Sequence, residues 1–204
     1  MIASDEVEVT YESAGPEGPE GSDVPLEGPG WLLISLDGRP VLEGTQITAE
    51  FSDEQVAGSA GCNNYFASYE VSGSALRIGP AGVTRMFCGE PPGVMEQESA
   101  YLGLLEEAAG YRIARGRLEL DDQNGTSILG YEAAVTGQAT YLQRIALPED
   151  AVVNVQVADV SQADAPARAI GEQIITNPGQ VPISYQVTYD PELIDPRFDY
   201  AVQV

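Results

Sequence analysis

A period of two dominates this chain. In 45–51, Ile47, Ala49 and Phe51 share one face while Gln46, Thr48 and Glu50 share the other. Leu76 and Ile78 repeat the alternation, as do Val153, Val155 and Val157 set against Asn154 and Gln156. Side chains that alternate in this way describe half-buried strands. Turn signals separate them: DGRP at 37–40, DDQNG at 121–125 and TNPGQ at 176–180. A helical period appears in one convincing place, GVMEQESAYLGLLEEAAGY, where Met95, Leu102, Leu105 and Ala109 form a stripe that tolerates Ser99. Pro91 and Pro92 mark its start, and Gly110 is expected as a left-handed stop with Tyr111 folded back onto Leu105. The fold class that follows is mainly β with one helix.

The 204 residues suffice for one large domain or two small ones. Residues 1–29 carry eight acids and no base around a GPEGPEGSD core, so they are read as a disordered acidic Gly/Pro linker with too little apolar surface to offset chain entropy. Order is expected from Trp31, where WLLISL looks like a strand. A second β-rich block begins near Val135, with strands expected at 138–147 and 151–160, two more on either side of TNPGQ, and a strand-like YAVQV at the end. That is a sandwich pattern.

Charge narrows the function classes. There are 32 acids against nine bases, all of them Arg, giving a net charge of −23. Such a chain repels phosphate backbones and anionic headgroups, which argues against nucleic-acid partners and against charge-driven membrane binding. The absence of His removes Ser-His-Asp and Cys-His nucleophiles and the HExxH zinc motif. No apolar run approaches the roughly 20 residues of a membrane span. The opening residues contain no basic, apolar or lipobox segment, so the sequence as given shows no secretion signal, and the acidic linker is expected to be a tether from something upstream.

The two cysteines sit in GSAGCNNYFASYE (58–70) and TRMFC (84–88). A catalytic thiol needs a base or cation to lower its pKa, and a metal needs more ligands than two cysteines 26 residues apart supply. Two readings stay open, a Cys62–Cys88 disulfide and two buried thiols; a crosslink closing a loop of this size contributes about 3.5 kcal/mol on the chain-entropy model. Asp159 and Asp164 read as turn caps, with acid–base work the alternative, and Arg144 as an ion-pair partner for one of them.

GSAGCNNYFASYE, TRMFC, MEQESAYLGLL and YRIARGRLEL, preceded by a Trp-led strand, together resemble the META/HslJ domain family over about 30–132. The resemblance implies an antiparallel β domain with one helix, found in bacterial envelope proteins and linked to heat shock or stress, with no catalytic, cofactor or metal residues to carry over. It also implies that Gly61 permits a tight backbone, that Cys62 faces Cys88, and that Asn63 hydrogen-bonds a turn; ligand contact by Asn63 or Tyr65 is the alternative.

The second block, with TYLQRIALPEDAVVNVQVADVSQADAPA and GQVPISYQVTYDPELIDPRFDYAVQV, resembles YbaY-type lipoproteins and YscW-type secretion chaperones over about 135–204. That implies a small β-sandwich at the periplasmic face of the outer membrane, apparently truncated here, so that an open strand edge is expected beside the valine face of 151–160. The combined reading is a non-enzymatic, stress-related envelope lipoprotein. It would bind or stabilise unidentified envelope proteins and touch the membrane only through a lipid anchor absent from this chain. A chaperone or pilot for an outer-membrane or secretion complex is the alternative, and a carboxylate-only hydrolase the weakest one.

Overall fold

Strand follows strand through most of the molecule, as the alternation requires. The computed structural model describes residues 7–8, 24–141, 146–162 and 166–204. After β1 (Val7–Glu8) come β2 (Gly30–Leu36), β3 (Arg39–Pro40), β4 (Thr48–Ser52), β5 (Gln55–Ser59) and β6 (Asn64–Ser72). Then follow β7 (Ala75–Ile78), β8 (Gly82–Val83), α1 (Val94–Glu107), β9 (Gly110–Ala114), β10 (Arg117–Asp121) and β11 (Ser127–Ala139). The last elements are β12 (Val152–Asp159), β13 (Arg168–Thr176), β14 (Ile183–Thr188), a 3-10 turn at Pro191–Leu193 and β15 (Tyr200–Gln203). The chain divides at Ala133/Ala134 into two units, with β1 in the second.

In the first unit the sheet closes on itself. Antiparallel pairing runs β2–β4–β5–β6–β7–β9–β10–β11, and β11 returns to β2 through Tyr131↔Leu33 and Glu132↔Leu32. Alternation then means inside against outside. Ile47, Ala49, Phe51, Tyr65, Tyr69, Leu76, Ile78, Leu118, Leu120 and Tyr131 are all buried. Among the described residues the ladder is continuous except between β7 and β9, which pair only at Ala75↔Gly110. Asp37–Gly38 makes the β2–β3 turn with positive φ at both residues (49° and 70°), the conformation a two-residue hairpin needs.

The helix differs from its expected form. Its buried residues are Val94, Glu98, Tyr101 and Leu105; of the expected stripe Leu105 is buried, whereas Met95, Leu102 and Ala109 are only half-buried. It stops at Ala108 in an extended conformation (φ −58°, ψ 127°), and Gly110 is not left-handed but opens β9, paired with Ala75. Strand pairing at Gly110 takes precedence over a helical stop because Ala109 donates its N–H to Asp121 O at 2.8 Å.

The expected linker boundary at 29 also moves. Val24 and Leu26 are 3% and 0% exposed, Trp31 Nε1 donates to Leu26 O at 3.0 Å, and the Tyr69 hydroxyl donates to Glu27. Two apolar residues with a spacing of two are enough to join a core once Trp31 lies beside them; an average over a Gly/Pro-rich segment hides them. Apart from Val7 and Glu8, residues 1–23 lie outside the described residues.

The second unit packs two β layers. One is the sheet β1–β15–β12–β13, and the other is β14 paired with Ala134–Ala139 of β11. Val155, Val157, Tyr185, Val187 and Val202 form the core between them. Close approach is set by Gly171, where a Cβ would stand 2.5 Å from Thr188 O. A strand at 138–147 was expected, whereas β11 runs unbroken from Ser127 and ends at Ala139. The C-terminal strand is not an edge: β15 lies between β12 and β1, and the outer strands of this sheet among the described residues are β13 and the two-residue β1.

A candidate recognition site around the Cys62–Cys88 bridge

Gly61 takes φ 111°, a left-handed value that a side chain would strain, and this turns the chain into β6. Cys62 follows and is joined to Cys88, with their Cα atoms 5.9 Å apart. The bridge fastens the 84–88 loop to the start of β6. Backbone bonds continue the attachment: Asn64 N donates to Thr84 Oγ1 at 3.1 Å, and Thr84 N to Asn64 O at 3.0 Å.

Asn63 completes it from inside. The residue is 2% exposed, and its amide makes four hydrogen bonds. Nδ2 donates to Met86 O (3.1 Å) and to Glu98 Oε1 (2.8 Å); Oδ1 accepts from Met86 N (2.7 Å) and Thr84 Oγ1 (2.9 Å). This exhausts both donors and both acceptors of the side chain. Glu98, 5% exposed, accepts from Cys62 N at 3.2 Å and Asn63 N at 2.7 Å as well. A buried carboxylate is costly unless hydrogen-bonded, and three donors aimed at it meet that cost.

Tyr65 belongs to a different network. Its hydroxyl donates to Thr48 O at 3.0 Å and receives from Tyr101 at 2.7 Å; Tyr131 in turn donates to Tyr101 at 3.2 Å. Burial pushes all three phenols well above their ordinary pKa, with the neighbouring hydroxyls a smaller contribution. These are neutral core groups that tie α1 to opposite walls of the barrel. Every side-chain donor and acceptor of Asn63 is used within the protein, and the Tyr65 hydroxyl, 2% exposed, is bonded to Thr48 O and Tyr101. Glu98 and Thr84, which sequence reasoning missed, share the site with Asn63; the available signal was a glutamate at i+4 from Val94 and i−3 from Tyr101.

The clamped loop displays what it does not bury. Phe87 is 85% exposed, Met86 59%, and Arg85 is exposed beside them. Elsewhere on the same unit, β7 and β9 pair only at Ala75↔Gly110 and then separate. Beside β7, the C-terminal end of α1 and the 122–124 turn enclose a cleft of about 740 Å³, lined by Leu76, Ile78, Pro80, Ala108 and Ala109, with Arg77, Glu106, Glu107 and Asp122 around it. Glu106 accepts Ala81 N at 3.3 Å; Asp122 accepts from Thr126 and Asn124, which hold its carboxyl below the ordinary range. Among the described residues no group of three or more His, Cys, Asp or Glu is placed to hold a metal.

In the second unit Asp159 accepts from Ser161 N (3.0 Å) and Oγ (2.6 Å), a turn cap that lowers its pKa. Asp164 and Arg144 lie outside the described residues.

Each unit is matched by a family model. Residues 131–204 match the family described as Type III secretion system lipoprotein chaperone (YscW). Over 64 residues the chain is 35% identical to the uncharacterized lipoprotein YbaY of Escherichia coli (strain K12), covering 31% of this chain and 34% of that protein. The chain thus spans about a third of the length of that curated relative. Among solved structures it is similar to an alternative pilotin from the type II secretion system of Vibrio cholerae, with 44% identity over 34% of this chain and 62% of that one and a TM-score of 0.32. A protein from Burkholderia xenovorans solved by NMR is 25% identical over 60% of this chain and 98% of that one, with a TM-score of 0.43. Residues 24–134, more than half of the chain, match the META domain, and the chain belongs to the META domain family.

Proposed function

We propose that this protein is a bacterial envelope lipoprotein whose second unit acts as a chaperone or pilot for an outer-membrane protein, with the META barrel as a companion binding module and no chemical step of its own. The observation that carries the reading is the match of 131–204 to a lipoprotein chaperone family over a unit that has its own two-layer core. The Cys62–Cys88 bridge supports the setting, since disulfides form and persist in oxidising compartments such as the periplasm. The outer strand β13 carries a nine-residue main-chain edge of the kind extended peptides join.

Deletion of the gene in its native host tests the proposal. The amount of heat-resistant outer-membrane oligomers is compared with wild type by semi-native electrophoresis, and the fractionated protein is traced by immunoblot. Loss of one oligomer species, restored by the intact gene but not by one lacking residues 134–204, is the expected result. An unchanged oligomer profile, or a protein found only in the cytosolic fraction, overturns it.

A further inference from the structure

The 84–88 loop and the cleft beside β7 and the end of α1 are complementary in charge, and nothing in the roles described so far uses either. The loop is convex: Phe87 is 85% exposed and Met86 59%, while the main chain behind them is fixed by Asn63 and the Cys62–Cys88 bridge. The cleft is about 740 Å³, with Pro80 exposed at its rim and Leu76 and Ile78, 3% and 5% exposed, at its floor, a size that suits a few buried side chains. Charge matches as well. Arg85 makes no ion pair among the described residues despite the chain's 32 acids, and the cleft rim carries Glu106, Glu107 and Asp122 against the single cation Arg77. The loop does not fill the cleft of its own chain, because Phe87 stands in solvent and Met86 is held at both its N–H and its C=O.

We propose that the occupant is a second copy of this chain: Phe87 and Met86 of one META unit enter the cleft of another, and Arg85 meets the carboxylates at its rim. Such a contact uses two different patches, so it is heterologous and extends head to tail into short chains or closes into rings. An aromatic anchor next to an Arg is the composition that concentrates binding energy at interfaces. The net charge of −23 on every copy opposes assembly, which keeps the association concentration-dependent. This inference does not rest on the chaperone reading, which concerns the other unit.

Analytical ultracentrifugation of the full chain tests it, from about 10 µM to about 1 mM, in salt of roughly 0.15 M so that long-range repulsion is screened. The weight-average mass is expected to rise above the 21.6 kDa of one chain. Phe87→Ser should raise the dissociation constant by at least about tenfold while leaving the melting curve unchanged, since the side chain lies outside the core. Arg85→Glu and Glu106→Arg should each weaken association alone, and an equimolar mixture of the two should recover it, because both loop–cleft pairs in the mixture are then of opposite charge. A single 21.6 kDa species at every concentration overturns the proposal. So does association indifferent to Phe87→Ser, or a charge-swapped mixture that stays apart. Phe87-dependent binding to phosphatidylcholine vesicles by a chain that is monomeric in solution also overturns it, and assigns the loop to a lipid surface.

Discussion

Truncating Asn63 to Ala isolates the energetics of the site. The change removes four side-chain hydrogen bonds, one of them to the carboxylate of Glu98. A bond to a charged group contributes about 1.5–3 kcal/mol and a neutral one about 1 kcal/mol, the lower figures applying where water replaces the partner. Thr84 is exposed and recovers its bond from water, whereas the Glu98 oxygen is buried and does not. The expected loss is about 3–4 kcal/mol, a large part of a domain's stability. Trp31 is the chain's one tryptophan, 1% exposed inside the barrel, so its fluorescence in urea follows this unit alone. Glu98→Ala should cost a similar amount by leaving Cys62 N, Asn63 N and Asn63 Nδ2 without their acceptor. The double substitution should cost less than the sum by at least about 1 kcal/mol, since groups in one network are not additive. A loss below about 1 kcal/mol for Asn63→Ala, or additivity of the pair, refutes the claim that these residues act as one clamp.

Replacing Cys62 and Cys88 by Ser together should destabilise the barrel by up to about 3.5 kcal/mol, because the bridge closes a 26-residue span in the unfolded chain; an unchanged urea midpoint would count against it. Asp195 is held at about 2 by hydrogen bonds and charge from Arg197. Because its folded pKa is depressed, the stabilisation is present above the ordinary carboxylate pKa and is lost as pH falls through about 2; carbon-detected NMR should show that midpoint, and Arg197→Ala should raise it only part of the way back, since the main-chain N–H of residue 197 still donates to Asp195. Gly171→Ala places a Cβ 2.5 Å from the backbone oxygen of Thr188 and should lower the calorimetric melting point of the second unit by the equivalent of about 2 kcal/mol, while an unshifted transition would show that β13 and β14 move apart freely.

How far the fold could be read from residues depends on whether a signal is local. The alternation at Ile47–Ala49–Phe51 and at Leu76–Ile78 became barrel interior because a strand has only two faces, and one of them must be buried. Turns followed in the same way from Asp37–Gly38 and from Gly125. The helix was found but rotated: a stripe drawn through Met95 and Leu102 counts apolar residues, while burial through Glu98 depends on donors from Cys62 and Asn63, more than 30 residues earlier. No window on the helix contains that information. The boundary between the blocks was placed at 132–135 because two patterns meet there, yet β11 passes through it, since one extended strand serves a barrel with its first half and pairs β14 with its last six residues.

The same distinction explains the site. Residue chemistry left Cys62 and Cys88 undecided between bridge and thiols, and only the resemblance implied their pairing. What neither supplied was the reason for so much polar and covalent attachment in one place. Met and Phe are more often buried than exposed, and hydrophobic burial is a common way for a loop containing them to be fixed. Here Phe87 and Met86 face outward, so burial contributes little to holding the loop. The alternatives are main-chain hydrogen bonds and a crosslink, and the structure uses both: Asn63 grips Met86 at N–H and C=O, Glu98 fixes the backbone of Cys62 and Asn63, and the disulfide closes the end. A buried Asn–Glu pair is an expensive way to stabilise a barrel. It is a reasonable way to hold an exposed aromatic side chain in a fixed position, because a rigid anchor loses less entropy on binding than a mobile one.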